Sequence, residues 1–267
     1  MKTESLGGFD RFRVPAALLV IAIHTGPLLS LNGEANYLLT DILARIAVPF
    51  FFSVSGWFLV PRLLREGRAA LIPFVKKLLL LYGAAVLLYL PLNLYNHTLE
   101  ESGFALLRDV LFNGTFYHLW YFPALVLGAC LVYGLLRILG PRWAWLPALL
   151  LYAAGLLGDS YFGLTAALPP LRAGYEALFL LFDYTRNGLF FPPVFLLLGG
   201  WLALRPARRS AAWYGAGLLL SLALLTAEGL LVQRLALARF DALYLSLPLC
   251  AQRRNGYPEV VQAVQKI

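Results

Sequence analysis

Two residues eleven positions apart, Arg13 and His24, are the first whose chemistry asks for an explanation. Ten uncharged residues, VPAALLVIAI, run between them. On a helix turning about 100° per residue, that spacing brings the two within about 20° of one face, about 16 Å apart along the axis. An ionisable group in an apolar span is costly and faces a bundle interior or a wet cavity. His24 can serve there as interhelical glue. It can equally take a proton from an attacking hydroxyl, as a general base, while Arg13 holds a phosphate-bearing ligand at the membrane edge. The second use suits a donor with a charged end and a long, thin reactive arm, the shape of coenzyme A.

Further along stand residues that could line the same cavity. Arg45, in ARIAVPFFFSVSGWFL, is expensive in a span unless it finds Asp41, four residues earlier, or points at an anionic substrate or the cavity. Ser55 and Gly56 lie further into the same helix, and Pro49 and Gly56 let it bend and approach a neighbour. His118, in FYHLWYFPALV, reads either as an aromatic-belt residue at the interface or as a cavity group. Glu228 and the Asp183, Arg186 pair are further candidates that structural ion pairs explain equally well. His97 has no convergent partner in sequence. Cys130 and Cys250 lie in apolar surroundings and read as packing residues. No metal-ligand cluster, phosphate-cradling glycine loop or nucleophile elbow is visible.

The elements that must position these groups are membrane helices. Of 267 residues 60% are apolar and 13% charged, far from the roughly 25% charged residues of a soluble domain. The apolar stretches are continuous Leu, Ala, Val and Phe runs without the alternation of a barrel strand, so the fold class is all-α: a polytopic helical membrane bundle. Seven full spans are expected, at 10–31, 38–60, 78–93, 118–136, 143–157, 187–204 and 213–232, with a partial eighth from Leu243 to Cys250. The long loop between the fifth and sixth contains EALFLLF, too short to cross, which is expected to lie at the surface or re-enter. The net charge of +8 is spread in short clusters between spans, which argues for topology and against nucleic acid. With the N-terminus cytoplasmic, the inner segments carry 16 Lys and Arg and the outer loops 5, and Arg45 lies in a span. That count places Arg13 at the cytoplasmic edge and His24 near mid-membrane. No cleavable signal peptide is apparent, so the first span is expected to be retained.

These segments resemble the acyltransferase 3 family. Its first helix opens with an arginine followed after ten residues by a histidine, as Arg13 and His24 do, and its second carries FF-x-x-SG, matched by Phe51, Phe52, Ser55 and Gly56. Within the family, FDRFRVPAALLVIAIHT, ARIAVPFFFSVSGWFL, FYHLWYFPALVLG and DYTRNGLFFPPVFLLLGG look most like the membrane portion of the serine racemases of vancomycin-resistance clusters. The resemblance covers residues 8–250 as one transmembrane domain. It implies a bacterial inner-membrane enzyme that moves an acyl group, often acetyl from acetyl-CoA, to a hydroxyl of a cell-envelope carbohydrate or small molecule, with no bound cofactor. Arg13 would orient the donor and His24 act as general base, with Arg45, Ser55, His118, Arg186 and Glu228 lining the cavity. The racemase branch implies the alternative of an L-serine uptake module whose partner is a pyridoxal-phosphate racemase domain. This sequence carries no such domain, and its polar tail, 251–267, reads as the product of a truncation or altered reading frame.

Overall fold

The computed structural model describes residues 7–96, 102–116, 118–205, 210–240 and 243–250, and side chains from Phe12 onward. His97 and the polar tail 251–267 lie outside the described residues. Every regular element among them is helical. Four helices are long and apolar enough to cross a bilayer: 33–66, 68–95, 121–143 and 212–234. Three shorter apolar helices, Phe12–Thr25, Trp145–Leu157 and Pro192–Leu204, accompany them.

The first helix, α1 (Gly7–Thr25), stops six residues before the expected end of its span. Gly26 adopts φ +54°, the left-handed conformation that glycine tolerates, and Pro27 disfavours helix in the residue before it. His24 therefore sits in the last turn of α1 and not near the middle of a long span. A short helix α2 (Gly33–Tyr37), capped by the Asn32 side chain accepting from the Ala35 N–H at 2.9 Å, leads into the second span. The expected continuous helix is broken at its start. Residues Leu38–Ile42 form a π turn and Leu43–Ile46 a 3₁₀ turn before α3 (Ala47–Glu66) begins. Pro49 has no N–H to give to the Arg45 carbonyl, so a regular α ladder is interrupted just there.

The third span, α4 (Arg68–Tyr95), begins ten residues before its apolar run, because the basic stretch Arg68–Lys77 is helical as well. After the short helix α5 (Gly103–Arg108) come α6 (Tyr121–Trp143), broken at Gly140 and Pro141, and α7 (Trp145–Leu157). The long loop holds α8 (Phe162–Ala166) and α9 (Pro169–Leu178). EALFLLF closes α9 and turns back, with Leu180 and Leu181 exposed and Phe182 buried. Then follow α10 (Pro192–Leu204) and α11 (Ala211–Arg234).

The expected partial eighth helix is not one. Leu243–Cys250 makes turns and a short 3₁₀ element at Leu247–Cys250, with Leu243, Tyr244 and Leu247 fully buried. Two carboxylates take its leading backbone N–H groups, Asp159 from Leu243 at 2.9 Å and Glu228 from Leu245 and Ser246. Pro248 adds a residue with no N–H for a helical ladder.

The tightest packing is between α3 and α10. A Cβ on Gly56 would overlap the Leu196 backbone carbonyl, and one on Gly199 would overlap that of Ser53. Small residues let membrane helices approach closely enough for van der Waals packing to hold them without a hydrophobic driving force. The glycine of FF-x-x-SG is thus half of a helix crossing. Phe52 of that motif is buried beside it, stacked on Tyr121 at 4.9 Å and edge-on to Phe191 at 5.5 Å.

Candidate functional site

One end of the bundle gathers the end of α1, the broken start of the second span, the loop before α6 and the loop before α10. His24 and His118 face each other with ring centroids 5.9 Å apart. His118 is packed edge-on by Tyr89 at 4.7 Å and Phe116 at 5.0 Å. In that loop position, burial holds its imidazole below the ordinary histidine value, which leaves it neutral at pH 7 and able to accept a proton. His24 is exposed, and its neighbour Ile23 lines a small cavity with Arg45, Val48, Trp120, Arg186 and Phe191.

Arg45 is aimed into this cavity by the π and 3₁₀ turns that precede α3. It meets Asp41 at 2.6 Å, and Asp41 also accepts from Thr40 Oγ1 at 2.7 Å. Of the two uses open to Arg45 in sequence, both are present: one arm pairs with Asp41, and the side chain lines the cavity.

Arg186 lies opposite, stacked over Tyr184 at 4.4 Å and Trp120 at 5.3 Å. Its loop is fixed from all sides. The Asp183 N–H donates to Asn113 Oδ1 at 3.2 Å, and the Tyr184 hydroxyl to the Asn113 carbonyl at 2.6 Å. Thr185 donates to the Gly155 carbonyl at 2.7 Å, and the buried Asn187 side chain bridges Tyr184 and Leu189. Asp183 pairs with Arg108 at 3.1 Å, so the sequence pair Asp183, Arg186 splits into an anchor and a cavity residue. Burial raises the Asp183 carboxyl above its ordinary value, and Arg108 opposes that shift.

Three candidates stand elsewhere. Arg13 is exposed on α1, eleven residues before His24 and about 16 Å from it along the helix. Both belong to the uncovered side of α1, where Val14, Leu18 and Ile21 are 64%, 60% and 56% exposed. Ser55 donates back to the Phe51 carbonyl at 2.9 Å and is not among the cavity residues. Glu228 accepts from the Tyr161 hydroxyl at 2.7 Å, from two backbone N–H groups and from the Ser246 hydroxyl, an anchoring role for Leu243–Cys250. Sequence reasoning missed Trp120 and Tyr184, which cage Arg186, and Phe191, which stacks on Trp120 and lines the cavity. Trp120 and Phe191 were signalled by the aromatic runs FYHLWYF and LFF, which also suit a headgroup belt, and Tyr184 by its place two residues before Arg186.

A chain whose described elements are all helical, with several bilayer-length apolar helices and a polar cluster at one end of the bundle, is a multi-pass membrane protein. The chain belongs to the acyltransferase 3 family, whose acyltransferase-domain model matches residues 6–249. It is 45% identical over 209 residues to an amino-acid racemase of Enterococcus faecalis, covering 78% of this chain and 29% of that protein. It is 40% identical over 252 residues to a serine/alanine racemase of Enterococcus gallinarum, covering 91% of this chain and 35% of that protein. The chain thus spans about a third of the length of the curated relatives it matches. No solved structure matches it.

Proposed function

We propose that the chain is a bacterial inner-membrane acyltransferase that moves an acyl group, acetyl in the simplest case, from a cytoplasmic CoA donor to a hydroxyl of an envelope carbohydrate or small molecule. The observation that carries this is His24, exposed, facing His118 and next to the cavity that Arg45 and Arg186 line, on the same side of α1 as Arg13. Seven helices are taken as crossings, with the N-terminus inside as the 16 to 5 distribution of basic residues favours.

Arg13 at the inner edge pairs with donor phosphate, a bidentate match to guanidinium geometry. The thioester arm runs along the uncovered side of α1 toward His24. His24 takes the proton from the acceptor hydroxyl, whose oxygen attacks the thioester carbonyl carbon. The C–O bond forms, the C–S bond breaks, and the proton passes to the departing thiolate. His118, neutral and packed edge-on by two aromatic rings, holds the imidazole of His24 in place.

A second reading is favoured by the racemase names of the relatives: an L-serine uptake module that works beside a racemase domain. One experiment separates the two. Purified chain in proteoliposomes is given labelled acetyl-CoA and, in parallel, labelled serine outside the vesicles. CoA release that depends on His24 supports transfer. Serine accumulation with no CoA release replaces it by uptake.

A further inference from the structure

The two guanidiniums at the cavity are not equivalent. Arg45 is neutralised by Asp41 at 2.6 Å. Arg186 has no ion-pair partner within 4 Å among the described residues; Asp159, the acid that attracts it from further off, has Oδ1 occupied by the Leu243 N–H and the Ser160 hydroxyl. Both Arg45 Nε and Arg186 Nε are buried with no hydrogen-bond partner. A charged group taken out of water and left short of acceptors is unfavourable unless something supplies them. Two rings, Trp120 and Tyr184, hold the Arg186 plane from its face; of the two only the Tyr184 hydroxyl oxygen can accept from the guanidinium, and Nε is left without an acceptor. The remaining walls are Ile23, Val48 and Phe191, whose side chains carry no acceptor. The cavity, about 20 Å³, has room for one water-sized group.

We propose that Arg186, with Arg45 beside it, forms an oxyanion subsite. It receives one oxygen of a carboxylate or phosphate on the substrate that reaches His24, with the rest of that molecule in the opening of the cavity. The inference rests on the proposed role of His24 only for the direction in which the bound molecule extends. An anion is selected because two forks converge on acceptor-poor walls, and a small one because of the volume. The loop bonds to Asn113, Gly155 and Asn187 keep Arg186 in place before the ligand arrives, so little ordering is left for binding. The subsite fixes the acceptor as an anionic molecule, either a free small acid or the phosphate-bearing headgroup of a lipid-linked one.

The test uses the full chain in nanodiscs and tryptophan emission, because Trp120 lines the cavity 5.3 Å from the Arg186 guanidinium. Acetate and inorganic phosphate are titrated at constant ionic strength, with acetamide as the neutral control. Acetate or phosphate is expected to change the emission saturably, and Trp120→Phe to remove the change. Stronger response to acetate assigns the subsite to a small acid, stronger response to phosphate to a headgroup. Arg186→Gln is expected to weaken binding about tenfold or more, the scale of one charge-assisted hydrogen bond. Arg186→Lys keeps the charge without the fork, should bind weakly, and carries the test where the glutamine variant does not fold. His24→Ala is expected to bind normally. Equal responses to acetate and acetamide, or unchanged affinity in both Arg186 variants, overturn the subsite. Oxyanion binding without acyl transfer leaves the subsite standing and removes the acyltransferase reading, and transfer without oxyanion binding does the reverse.

Discussion

The seam between α3 and α10 and the C-terminal end of α1 are built from opposite materials. The seam is two glycine-lined helix surfaces pressed backbone to backbone, with no polar side chain asked to do chemistry. The end of α1 is exposed, rich in imidazole and guanidinium, and held in shape by loops that hydrogen-bond to one another. The contrast shows where each part of FF-x-x-SG acts. Its glycine and second phenylalanine serve the seam, while the reactive groups lie one helix away. A scaffold that derives its cohesion from close packing leaves a neighbouring helix free to present reactive side chains at its end.

That contrast is broken first by filling the seam. Gly199→Leu forces a side chain into the Ser53 carbonyl, and no rotamer avoids the backbone. A loss of about 3 kcal/mol or more is expected, read as a large fall in Tm in detergent and poor recovery of folded protein. Gly56→Leu should behave alike.

Next in size is Glu228→Ala. It leaves the Leu245 and Ser246 N–H groups and the Tyr161 hydroxyl without their acceptor, at about 1–3 kcal/mol for each group that stays buried. Thermal unfolding should fall by several degrees. Labelling of Cys250, measured in a Cys130→Ser background, should speed up as Leu243–Cys250 loosens. Glu228→Gln, which keeps an acceptor, should recover part of the loss.

A smaller loss is expected for Asp41→Asn. The Arg45 pair is partly exposed, so about 1 kcal/mol is at stake, and the freed guanidinium should raise the affinity of the cavity for acetate. Smallest of all is His24→Ala. On an exposed helix face it should change stability by less than about 0.5 kcal/mol, seen as an unchanged Tm.

Much of this was legible in the chain. Long apolar runs gave the helices, the i, i+4 spacing gave the Asp41, Arg45 pair, and the close approach of the helix carrying Gly56 was expected from its small residues. What stayed hidden depended on contacts far apart in sequence. The Leu243–Cys250 run is apolar enough to read as a span, and only Asp159 and Glu228, brought in from other elements, turn it into a buried irregular segment. The caging of Arg186 draws on Tyr184, two residues before it, and on Trp120, more than sixty positions away. One feature was local and readable: Gly26 followed by Pro27 ends α1, which moves His24 from mid-helix to the last turn beside His118.

The most direct test is the rate of CoA release from acetyl-CoA by His24→Ala in proteoliposomes, set beside wild type at equal Tm. A fall of about a hundredfold or more is expected for loss of a general base. A variant that folds equally well and releases CoA at the wild-type rate would return His24 to a packing role and contradict the proposed reaction.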